Sequence, residues 1–164
     1  MKTTTLLIAM VVGFLTTPLT AQETVWFDSN WNVSTKEKAA YYRLSPEKKD
    51  NGFWIVDYYI SGNKQMEGFS TSGQPNKEVY EGLVNYFHEN GNKFQIVNYV
   101  KGKPEGVFSE FYDTGELQRT GKYSNGLREG NWKTFYKNGK IESKGKYRKG
   151  DKAGIWKTFY KNVY

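Results

Sequence analysis

The sequence predicts an all-β fold: tandem β-hairpins with a 24-residue period, forming an elongated twisted antiparallel meander. Three observations carry this. Gly82, Gly106, Gly130 and Gly154 follow one another at intervals of 24 residues. The 164 residues hold 17 Gly beside 5 Trp, 13 Tyr and 10 Phe, a pairing suited to short strands packed through flat rings. After Gln22 no stretch keeps a helical period, whereas alternation of polar and apolar residues recurs.

The N-terminus reads as an address. Met1-Lys2 is a positive start, Leu6 to Leu15 is an apolar run, Pro18 breaks it, and Leu19-Thr20-Ala21 before Gln22 offers a small-residue cleavage site. This is the layout of a secretory signal peptide. The run falls short of the ~20 residues that span a bilayer. Residues 1–21 are therefore expected to be a leader, and the mature chain to be exported to the periplasm, the outer envelope or the medium, with no transmembrane segment of its own.

Residues 22–52 carry no repeat and are expected to cap the array, since terminal units diverge to close such stacks. Within them, 39–44 (AAYYRL) reads as an edge strand pairing with 53–60. The array then runs over 53–164, with units near 53–81, 82–105, 106–129, 130–153 and 154–164. The first is degenerate: Tyr58-Tyr59 with Ser61-Gly62 imitates the later Phe-Tyr-x-x-Gly, and five inserted residues within 74–80 restore the phase.

The later units agree position by position. Phe87, Phe111, Phe135 and Phe159 stand five residues after each phasing glycine, followed by His88, Tyr112, Tyr136 and Tyr160. Val84, Phe108, Trp132 and Trp156 stand two residues after it. In the unit from Glu129, Trp132 to Tyr136 reads as a strand, and Asn138-Gly139 as a tight I′ turn, because Asn-Gly accepts positive φ. Residues 141–148 return, with Ile141, Ser143, Gly145 and Tyr147 on one face and Glu142, Lys144, Lys146 and Arg148 on the other. Lys149-Gly150 turns into the next unit. Glu81, Glu105 and Glu129 sit beside the glycines taken as turn residues, and a role repeated so regularly is structural.

Little catalytic chemistry survives inspection. With no Cys there is no disulfide framework, thiol nucleophile or Cys-ligated metal. The lone His88 fills a slot held elsewhere by Tyr and reads as an aromatic substitute with a polar tip. No glycine precedes a helix, so no phosphate-cradling loop is implied. No cofactor and no metal site are expected.

Charge is the functional hint. Residues from Arg119 onward hold 13 Lys+Arg against 3 Asp+Glu, net +10, whereas 22–118 hold 10 against 14, net −4. Trp and Tyr interleave with this basic block. The expected binding residues are Trp132, Tyr136, Trp156 and Tyr160 with Lys133, Lys144, Lys146, Arg148 and Lys157, on one exposed sheet face. Such a face attracts anionic surfaces: lipid headgroups, lipopolysaccharide, acidic glycan or an acidic protein. Basic-plus-aromatic composition also suits single-stranded nucleic acid, but export argues against that partner.

The motif G-x-W-K-x-F-Y-x-N-G-K-x-x-x-x-G-x-Y-x-x-G over 130–150 resembles the MORN repeat variant of bacterial proteins. The resemblance runs from Tyr58 to Tyr164 and is strongest over 105–160. AYYR at 40–43 with DYYISGNKQMEG at 57–68 is similar to the front end of Gram-negative envelope proteins that join such repeats to other modules. The resemblance implies stacked hairpins and no catalytic residues. Lys93 departs from it, standing where later units have Leu117 and Ile141, so that unit is expected to pack differently. Proteins with this repeat are often described as antitoxins of a toxin–antitoxin pair. The expectation is therefore a non-enzymatic exported binding or scaffold module at the cell envelope. The alternatives are an antitoxin-like protein that neutralises a partner protein, and a glycan hydrolase using carboxylates in the groove.

Overall fold

The computed structural model describes residues 23–160. The expected leader at 1–21 lies outside them, as do the last four residues. The described chain is a single open antiparallel sheet of 13 strands, with one short 3-10 turn at Lys36–Lys38.

Four short strands begin the chain: β1 (Val25–Phe27), β2 (Val33–Ser34), β3 (Tyr41–Arg43) and β4 (Glu47–Lys49). The longer strands follow as a meander: β5 (Gly52–Tyr59), β6 (Lys64–Ser70), β7 (Tyr80–Phe87), β8 (Lys93–Val100), β9 (Lys103–Phe111), β10 (Leu117–Ser124), β11 (Leu127–Phe135), β12 (Ile141–Arg148) and β13 (Asp151–Thr158). From β13 back to β5 the spatial order is the chain order. At the other end the order continues β5-β3-β1-β2, and β4 pairs the start of β5. β3 pairs β5 with Tyr41 opposite Tyr59 and Arg43 opposite Asp57, the pairing expected of 39–44 and 53–60. It is not an edge, because β1 and β2 extend the sheet beyond it.

Two expectations about glycine and turns need correcting. The phasing glycines are not in turns. Gly130, for instance, lies inside β11 at φ +68, so the strand bulges and continues instead of ending, and β11 starts at Leu127 rather than Trp132. The Asn138-Gly139 connection is not a I′ turn either. Only Gly139 has positive φ, its N–H donates to the Tyr136 carbonyl, and the Tyr136 N–H donates to the Lys140 carbonyl. That is a type I turn closed by a glycine bulge. The two-residue I′ turns fall at the other end of the strands, where Lys101-Gly102, Asn125-Gly126 and Lys149-Gly150 all have positive φ.

The repeated carboxylates serve those I′ turns. Glu81, Glu105 and Glu129 accept the backbone N–H of Lys101, Asn125 and Lys149, each 20 residues on, at 2.7–2.8 Å. A second repeated bond ties each unit to the next at the opposite end. The hydroxyls of Tyr59, Tyr112 and Tyr136 donate to the carbonyls of Phe87, Phe135 and Phe159 at 2.7 Å, and His88 Nε2 donates to Phe111 at 3.0 Å. The first of these spans 28 residues and the others 23, so the degenerate unit is in register once five extra residues, in the loop before β7, are removed. Lys93 is exposed, and the neighbouring Phe94 packs on His88 instead, ring centroids 4.8 Å apart.

One face of the sheet is packed. Ile55, Met66 and Val84 form one buried cluster, and Val97, Phe108 and Trp132 another, bridged by Tyr86 and Tyr99. A volume rule orders the second cluster. Trp132 lies over Gly121, where an added Cβ would come within 2.2 Å of its ring, and Trp156 lies over Gly145 at 2.3 Å. Where the unit before has Val97 instead of glycine, the ring opposite shrinks to Phe108.

Candidate functional site

Alternation decides what the opposite, outer face presents. Because Trp132 points to the packed face, Lys133 points away from it. Lys133 stands opposite Lys144, and Lys144 opposite Lys157, so three lysines align across β11, β12 and β13. Lys146, opposite Asn131, lies on the same face. Like charges directly opposite one another in a sheet are destabilising. Yet none of these lysines forms an ion pair with another group among the described residues. With Asn131 and Ile155 they line an open depression of about 320 Å³ that no carboxylate enters.

The row continues toward β6 without this charge. Thr120, Ser109, Ile96, Asn85 and Glu67 take the corresponding positions. Glu67 is held by Lys64 at 2.6 Å. Beside the row, the position after each phasing glycine is Leu83, Val107, Asn131 or Ile155, and the three aliphatic ones are 59%, 70% and 83% exposed.

The structure brings together only part of the predicted constellation. Lys133, Lys144, Lys146 and Lys157 share the depression. Arg148 is on their face by alternation but sits opposite Asp151, outside the depression's lining. Trp132 and Trp156 are on the packed face, their indole N–H groups donating to the Lys122 and Lys146 carbonyls at 3.2 and 3.1 Å. Tyr136 and Tyr160 lie at the hairpin end with Phe159, lining a separate depression that Lys144 also borders. The expected single face of rings and cations is thus two faces, because neighbouring residues of a strand cannot share a side.

The depression lined by Arg43, Asp57 and Glu78 holds two carboxylates on one cation. Asp57 takes Arg43 in a bidentate bond at 2.6 and 2.8 Å, and Glu78 takes the same guanidinium. Arg43 and Asp57 are buried, at 3% and 1% exposure. Burial works against the Arg43 cation, but its bonds to the two carboxylates outweigh that and hold it above its ordinary pKa. Burial pushes the Asp57 carboxyl up, against the pull of Arg43. Both carboxylates are therefore committed to a structural cation, and this network escaped the sequence because its charges carry no repeat signature.

Comparison with protein families now fits the geometry. The MORN repeat variant matches at residues 80–101, 104–125 and 128–149. Residues 80–149 are MORN repeats of the variant type. Each match covers one hairpin, β7–β8, β9–β10 or β11–β12, and stops on the first residue of the following I′ turn. The β5–β6 hairpin and β13 lie outside the matched MORN repeats, yet Tyr59 and Phe159 make the same inter-unit bonds. No curated protein matches the chain. Among the described residues no helix is long and apolar enough to cross a membrane.

Proposed function

We propose that this chain is a non-enzymatic binding module of the cell envelope, exported by its leader-like first 21 residues, which docks an anionic envelope component through the outer face of β11–β13. The observation that carries the reading is the row Lys133–Lys144–Lys157. A row of like charges works against folding, so its place in the chain is understandable if a polyanion covers it. Four cations around one depression with no carboxylate among them suit a surface or polymer of repeated negative charge, such as an acidic glycan, lipopolysaccharide or anionic headgroups.

The test is retention of the mature chain on an immobilised carboxylated polysaccharide across a salt gradient. Exposed charges are screened within a Debye length that falls to ~4–5 Å near 0.5 M salt, so elution is expected below that concentration. Retention that ignores salt contradicts the proposal.

A protein partner is the second reading, antitoxin-like neutralisation included. It is favoured by the exposed Leu83, Val107 and Ile155, of which Ile155 borders the basic depression, since apolar residues beside charge describe a protein interface better than a glycan site. A stoichiometric partner retained through high salt would select it.

A further inference from the structure

The packed face carries one polar row among its rings. Gln95, Glu110, Arg119, Thr134 and Ser143 stand opposite one another on β8 to β12. Glu110 uses both oxygens, one for Gln95 at 2.9 Å and one for Arg119 Nη2 at 2.8 Å. The Arg119 Nε is buried and has no acceptor. Buried donors are nearly always paired in folded proteins, so an orphan N–H calls for an explanation. Next to it, the Thr134 and Ser143 hydroxyls share one bond at 2.6 Å. That bond uses one of their two protons and leaves the other to be donated.

Thr134, Ser143, Arg119 and Lys133 border a slot of about 150 Å³ between Trp132 and Trp156. Tyr147 meets both indoles edge-on, at 5.6 and 5.0 Å. Arg128 lies over Trp132 at 4.8 Å and donates to the Tyr147 hydroxyl, and Lys152 lies over Trp156 at 4.6 Å. Neither cation has an ion-pair partner among the described residues, and no carboxylate lines the slot. With Arg119 neutralised by Glu110, Arg128, Lys133 and Lys152 leave the slot with excess positive charge, and the unused hydroxyl proton points to an acceptor.

We propose that this slot binds a single oxyanion group, carboxylate or phosphate, accepted by a Thr134 or Ser143 hydroxyl and flanked by the Arg119 guanidinium, Arg128 and Lys152. Lys133 borders this slot as well as the outer depression, whereas Lys144, Lys146 and Lys157 border only the latter of the two, so Lys144 separates the two sites.

The test is a nuclear magnetic resonance titration of the mature chain with inorganic phosphate and, separately, with acetate, at ionic strength held by sodium chloride. The Arg119 Nε–H and the Trp132 and Trp156 indole signals are expected to shift and saturate. The arm that saturates names the head group, and saturation by both names the oxyanion in general. Arg119→Lys keeps the charge but loses the guanidinium fork, and is expected to raise the midpoint roughly tenfold. Thr134→Val with Ser143→Ala leaves the Arg119–Glu110 pair intact and is expected to raise it as well, which covers the case of an unfolded Arg119 variant. Lys144→Gln, on the other face, is expected to leave it unchanged. Shifts that rise linearly with both anions, or a midpoint unmoved by the Thr134/Ser143 variant, overturn the proposal.

Discussion

The two ends of the sheet handle charge in opposite ways. At the β3–β6 end, Arg43 and Asp57 are buried against each other, Glu78 closes the group, and the Arg43 guanidinium lies over the Phe27 ring at 5.3 Å. At the β11–β13 end, lysines stand exposed in a row with no ion-pair partner among the described residues, Lys144 lying over the Phe159 ring at 5.5 Å. The first arrangement stabilises only when complete and serves the fold. The second does nothing for the fold, and its charge is free to act on something else. In a repeat array this contrast separates what a unit needs for stacking from what it offers to solvent.

The contrast breaks most visibly at the buried end. Asp57→Ala leaves a guanidinium without its main counter-charge and is expected to cost about 3–5 kcal/mol in urea denaturation. Replacing both partners, Arg43→Met with Asp57→Leu, is expected to cost far less. If the single and double variants unfold at the same urea concentration, the ion pair is not what closes this end.

The middle of the array sharpens the comparison by testing packing alone. Gly121→Val drives a side chain into the Trp132 ring and is expected to cost at least the ~1–3 kcal/mol of an overpacked core. Adding Trp132→Phe recreates the Val97–Phe108 pair of the preceding unit. The double variant is expected to recover a large part of the loss, measured as a coupling energy in a thermodynamic cycle. Strict additivity would refute the volume rule. A smaller effect is expected for His88→Tyr, which restores the residue of the other units in the bond to Phe111. Its stability should stay within about 0.5 kcal/mol of the parent.

Much of this architecture was legible from the period of 24 residues and from alternation. The equivalence of Tyr112, Tyr136 and His88 and the five-residue insertion follow from in-phase positions, which is why a degenerate first unit could be placed, whereas the bonds from Tyr112 and Tyr136 to the next unit show only in the structure. The turns were harder, because Asn-Gly serves a two-residue I′ turn and a type I turn with a glycine bulge equally well. Loop length decides between them, and it depends on where the strands end. Gly130 was misread because positive φ suits a bulge as well as a turn. The candidate site was half legible: Lys144 and Lys146 were assigned to one face, but the indoles of Trp132 and Trp156 were joined to it although alternation with Lys133 and Lys157 forbids that. The buried Arg43 and the orphan Arg119 Nε carry no signature in the chain, since burial of a charge depends on cross-strand neighbours rather than on spacing.

The lysine row should be dispensable for folding and needed for binding. Lys133, Lys144 and Lys157 replaced together by Gln should leave the unfolding free energy from urea denaturation unchanged or raise it by about 0.2–0.5 kcal/mol, as relief of like-charge opposition predicts. In the same preparation, retention on the carboxylated polysaccharide should disappear. A triple variant that is destabilised, or one that still binds with the parent's salt dependence, would contradict the account.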